Sequence, residues 1–131
     1  MAEILFKEES YRIIGACMEV HRNLGPGFLE PVYQESLEHE MKVQKITFQR
    51  QQKLDLFYNG TKLQKYYVAD FVCFGQIIME IKAINFLNQL SCSQLVNYLK
   101  ATNFQLGLLV NFGERSLNYR RFINTISRNS F

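Results

Sequence analysis

Two prolines and seven glycines in 131 residues leave no room for a long flexible linker. The chain therefore reads as one domain, 1–131, long enough to bury a core without staples. Cysteine is sparse: Cys17, Cys73 and Cys92 are odd in number, widely spaced and form no CxxC pair. Neither a disulfide framework nor a zinc knuckle is indicated by that pattern. His21 and His39 each stand without a second histidine three or four residues away, so any metal here would be held by oxygen. No window approaches the roughly 18 uninterrupted apolar residues that span a bilayer. The start, "MAEILFKEESYR", is acidic early and unlike a signal peptide. The expected compartment is the cytoplasm, with no membrane partner.

What is present is a soluble globular composition, 47% hydrophobic and 21% charged. The net charge of +3 is unevenly spread. Arg115, Arg120, Arg121 and Arg128 occupy an acid-free tail, and Lys42, Lys45, Arg50 and Lys53 form a second basic stretch. Such patches suit a phosphate backbone, and equally an ordinary solvated face.

Apolar residues at helical spacing predict a helix from about Lys7 to Asn23, ended by "NLGPG". A second helix is expected up to about Val43, with Leu29, Tyr33, Leu37 and Met41 on one face. "ITFQRQQKLDLFY" then alternates like a strand, and Asn59-Gly60 marks a tight hairpin turn. "KLQKYYVADFVCF" follows as a long strand, and after Gly75 comes a third, "QIIMEIKAI". "SCSQLVNYLKATN" reads as a helix capped by Ser91 or Ser93, and "FQLGLLVNFG" as a buried strand. "SLNYRRFI" fits a last strand or an irregular basic arm. The order implies an α/β fold, a mixed central sheet flanked by helices.

Two strands carry acids inside apolar runs: Asp70 in "YVADFVCF", and Glu80 beside Lys82 in "QIIMEIKAI". Alternation puts Glu80 and Lys82 on one face, opposite Met79, Ile81 and Ala83. If the two strands form a hairpin, the turn near Gly75 brings Asp70 close to both. Two carboxylates in one partly buried place repel, and each then prefers its proton. A divalent cation removes the conflict, and Mg²⁺ fits because it takes few protein oxygens and keeps several waters. A lysine beside it suits the orientation of water and the stabilisation of charge on a phosphate. Asp, Glu and Lys are thus sufficient for phosphodiester hydrolysis. The competing reading is an i,i+2 ion pair on a strand face open to solvent.

Ala69-Asp70, nine residues, then Glu80-Ile81-Lys82 resembles the PD-(D/E)XK nuclease signature, with alanine where the name has proline. "GFLEPVY", Gly27 to Tyr33, resembles the GxxExxY motif of a family of small bacterial proteins in that superfamily. "QLVNY", Gln94 to Tyr98, resembles its QxxxY motif, and "LLVNFG" its final core strand. The resemblance implies a restriction-endonuclease-like core of α-β-β-β-α-β order. It implies Asp70 and Glu80 as ligands of Mg²⁺ or Mn²⁺, the Ile81 carbonyl as a third, and Lys82 as the water-positioning residue. Glu30 would face the metal directly or through water, while Gln94 and Tyr98 would approach the site or the DNA backbone. An acid in a first helical turn is also favoured by the helix dipole alone. Tyr33 is expected to pack, and Glu35 and Glu38 to lie on the surface.

The function implied is a metal-dependent deoxyribonuclease, with DNA favoured over RNA and a homodimer as one way to hold a duplex. The alternative is a nucleic-acid-binding or interaction module that keeps the fold without turnover. A third reading makes the acids structural, paired with lysines inside the fold.

Overall fold

A computed structural model describes residues 4–124. Helices α1 (Lys7–Leu24) and α2 (Glu30–Val43) come first, then strands β1 (Phe48–Tyr58), β2 (Thr61–Cys73) and β3 (Ile77–Lys82). Helix α3 (Gln89–Thr102) carries the chain across to β4 (Leu106–Asn111), and β5 (Asn118–Ile123) ends the sheet. The strands lie in sequence order, β1-β2-β3-β4-β5. All neighbours are antiparallel except β3 and β4, which run parallel because a helix joins them. This is the mixed α/β sheet the sequence implies, with the basic tail resolved as a true edge strand. Arg128 lies outside the described residues.

Two apolar layers hold the sheet. On one side Ile13, Cys17 and Val20 of α1 and Tyr33, Leu37 and Met41 of α2 meet Phe71, Met79, Ile81, Leu108 and Val110. On the other side Cys92, Leu95 and Leu99 of α3 meet Tyr67, Ala69, Val72, Ile78 and Leu109. β4 is buried at every residue, as a strand covered on both faces must be. Tyr33 packs as expected: it is fully buried and its ring stacks on Phe112 at 4.9 Å. Its hydroxyl donates to the Gly25 carbonyl, which ties the glycine-rich turn to α2.

One cap differs from expectation. α3 begins earlier, and Asn88, not Ser91 or Ser93, is its N-cap, accepting the Ser91 N–H at 2.9 Å. Asparagine competes well with serine there, and the turn after Lys82 carries it to that place.

The long β1–β2 hairpin is not a simple ribbon. Tyr67 and Ala69 face α3, yet Phe71 faces α1 and α2 while Val72 faces α3 again. Alternation is therefore broken between Ala69 and Val72, at Asp70. β1 breaks at the same level: Phe48 packs on the α1–α2 layer, and Leu54 and Leu56 on the α3 layer. Between them Gln51, at φ 49°, drops out of a register that is constant from Phe48 to Asp55. The hairpin is thus twisted over at Asp70. There it also leaves β3, whose pairing with β2 ends at Phe71↔Met79.

Candidate active site

Asp70 stands where β2 and β3 part, and each acid is tied to the other's strand. Asp70 Oδ2 accepts the Ile81 N–H at 2.8 Å, and Glu80 Oε2 accepts the Asp70 N–H at 3.1 Å. Glu80 Oε2 also accepts the Tyr67 hydroxyl, so each carboxylate is anchored through one oxygen. Alternation along β3 holds: Ile77, Met79 and Ile81 enter the α1–α2 core, while Glu80 and Lys82 line a cleft under α3. Gln94 and Tyr98, one turn apart, line the same cleft with Tyr67 and Ser91. At about 30 Å³ it has room for little more than a water molecule, too little for a nucleotide base.

The electrostatics follow from this packing. Burial and the nearby Asp70 carboxylate push Glu80 up to about 8 from its ordinary 4.5. Burial, then the charge of Asp70, also raise Glu30, while Lys82 opposes the rise. Glu30 is therefore close enough to feel both, from the first residue of α2. Among the described residues, no ion pair joins Lys82 to Asp70 or Glu80. The acids are not neutralised by a structural lysine.

The donor set fits a hard divalent cation. Two adjacent carboxylates share a part-buried place, and among the described residues neither is ion-paired to a cation. Among the described residues, no three His, Cys, Asp or Glu side chains gather where they could hold one metal ion together. Two carboxylates, with the remaining positions left to backbone oxygen and water, are the kind of oxygen donors a hard divalent cation takes.

Two residues of the site were not singled out from sequence. Tyr67 donates to Glu80 and stacks on Tyr98 with centroids 3.8 Å apart. Asn111, fully buried at the end of β4, clamps the chain just past Lys82. Its Oδ1 accepts the Ile84 and Gly113 N–H groups at 3.0 and 3.1 Å, and its Nδ2 donates to the Ile84 carbonyl at 2.9 Å. Tyr67→Phe keeps the stack and removes only the donor. It should lower stability by about 1–2 kcal/mol in urea unfolding, the typical cost of one such bond.

Several of the other basic residues are occupied. Lys42 and Arg50 both pair with Glu38, and Arg121 donates to the Leu5 carbonyl. His21 bonds the Glu114 carbonyl at 2.8 Å and packs near Phe112, with no role at the acids.

A family model described as the PD-(D/E)XK nuclease superfamily matches residues 7–122, and the chain belongs to that superfamily. Its members are typically nucleases, and they usually use divalent metals. No curated protein and no solved structure matches the chain. No helix among the described residues is long and apolar enough to cross a membrane.

Proposed function

We propose that the protein is a GxxExxY-type nuclease that hydrolyses DNA phosphodiester bonds with Mg²⁺ or Mn²⁺. The observation carrying this reading is the cross-tied pair of Asp70 and Glu80, with Lys82 on the Glu80 face and no ion pair between them. Asp70 and Glu80 would hold the cation through their unanchored oxygens, helped by the Ile81 carbonyl. Glu30 would act at one remove, through water. When bound, the cation supplies the positive charge that acidifies water and offsets charge on the phosphate.

The chain's own residues do the rest. Lys82 orients the attacking water and donates to the phosphate oxygen on which charge accumulates. Gln94 closes the α3 side of the cleft, and Tyr98 braces Tyr67, which holds Glu80 in place. Exposed basic residues such as Arg120 meet the backbone without reading sequence.

Thermal melting with and without Mn²⁺ tests the reading. Glu80's folded pKa is raised, so between about pH 4.5 and 8 the unfolded chain releases a proton that the folded chain keeps. In EDTA, Glu80's contribution to stability should therefore fall as pH rises through that window and level off above it. Mn²⁺ needs the ionised pair. It should raise Tm by roughly 5–10 °C near pH 8.5 at about a hundred times its Kd, and far less near pH 5.5. Glu80→Gln should abolish the shift. No Mn²⁺ effect at either pH would refute the metal site and leave a module that only binds.

A further inference from the structure

We infer that the outer face of the distal β1–β2 hairpin binds single-stranded nucleic acid and leads it to Asp70. This rests on the nuclease reading for what happens at Asp70, but not for the binding itself. Past Asp70 the hairpin has no β3 beside it, because β2–β3 pairing stops at Phe71. Leu54, Leu56, Tyr67 and Ala69 turn one face onto α3. The register pairs Lys53 with Val68, Asp55 with Tyr66 and Phe57 with Lys62. Directly opposed residues point the same way, so these six share the face turned away from α3. The shift between Asp55 and Phe57 adds two residues to β2, which leaves the alternation intact.

That face is apolar, aromatic and basic together. Phe57, Tyr66 and Val68 are 48%, 52% and 41% exposed. The Lys53 ammonium lies 4.4 Å from the centre of the Tyr66 ring. The one acid, Asp55, is paired with Lys62 at 3.6 Å. Rings with interleaved cations match the two parts of a nucleotide strand: bases stack on the rings and phosphates meet the lysines. A duplex keeps its base faces buried in the stack, so only unpaired bases can use Tyr66 and Phe57. A second copy of this face would set its lysines against their own kind, which disfavours self-pairing. At about 3.3 Å per residue, Val68 lies roughly 7 Å and Tyr66 roughly 13 Å along the strand from Asp70. That is one to two nucleotides from the acids.

Fluorescence anisotropy of the full chain in EDTA tests this, with an oligothymidine of about twenty nucleotides and a duplex of equal length. Wild type should bind the single strand at least tenfold more tightly than the duplex. Phe57→Ala/Tyr66→Ala should weaken single-strand binding by about 10–100-fold and leave duplex binding within about twofold, while Tyr66→Phe keeps it. Unchanged single-strand binding in the double variant, or a wild type that prefers duplex, would overturn the inference. So would a dimer that dissociates in the double variant with single-strand affinity unaltered, which would mark a self-association surface. Cutting plays no part in EDTA. A chain that binds this way but never cuts refutes the nuclease reading alone, and one that cuts while blind to Tyr66 refutes this inference alone.

Discussion

Lys82→Ala should cleave DNA about 10²–10³-fold more slowly than wild type while remaining folded, the usual scale for removing one charge-stabilising group. Lys82 lines the cleft beside Glu80 and acts electrostatically on Glu30. It is joined to neither Asp70 nor Glu80 by an ion pair among the described residues. Those facts separate two roles that "EIK" alone leaves open. Were Lys82 the structural partner of a buried acid, its loss would orphan that acid and cost about 3–5 kcal/mol of stability. Without such a bond, truncation should change stability by under about 1 kcal/mol and leave the Mn²⁺ shift in place. The effect should fall on the chemical step, so single-turnover rates and urea unfolding together decide the matter. A Lys82→Ala chain that unfolds in mild urea would favour the structural role. A folded one that cuts at the wild-type rate would remove lysine from the mechanism.

Gly113→Ala should destabilise the fold by about 3 kcal/mol or more, lowering Tm by roughly 10 °C. A methyl at Gly113 would land on the Ile84 carbonyl oxygen, 2.5 Å from the Ile84 nitrogen and 2.7 Å from the Ala83 carbonyl carbon. These are backbone atoms, which cannot swing aside as a side chain does. The chain after Lys82 would have to retreat, and the Asn111 clamp on Ile84 would open with it. The Lys82 carbonyl also accepts the Phe112 N–H at 2.8 Å, so activity should fall along with stability. Gly107→Ala is the contrast: its new methyl would press on the Leu95 side chain, Cγ and both Cδ methyls at 3.1 Å, rather than on backbone. A mild loss, under about 1.5 kcal/mol, is expected there. Equal unfolding midpoints for the two variants would show that Gly113 is not the close contact described.

The acids were legible in the sequence because a charge inside an apolar strand has few explanations. Alternation alone put Glu80 and Lys82 on one face, and the cleft under α3 holds both. The turn at Gly75 correctly predicted that β2 and β3 pair. Tyr67 escaped for the same reason that Glu80 was found. On a regular strand Tyr67 and Asp70 point to opposite faces, and only the break at Asp70 and Gln51 brings the phenol to Glu80. A left-handed residue inside a strand is a local event that no period-2 pattern announces. Asn111 lies within "FQLGLLVNFG", which the sequence marks only as a buried strand. Its role arises because the end of β3 lies beside it, Lys82 pairing with Asn111 across the sheet, which is tertiary information. The cap at Asn88 was missed because the chain between Lys82 and α3 has no apolar periodicity to mark where the helix starts.

The most direct test of the account is cleavage of labelled single- and double-stranded DNA by the wild-type chain in Mg²⁺, Mn²⁺ or EDTA, with Glu80→Gln alongside. Cutting in either metal, lost in EDTA and in Glu80→Gln, is the predicted result. Cutting that persists in EDTA, or no cutting of any DNA in either metal, would contradict the proposal that Asp70, Glu80 and Lys82 form a metal-dependent nuclease site.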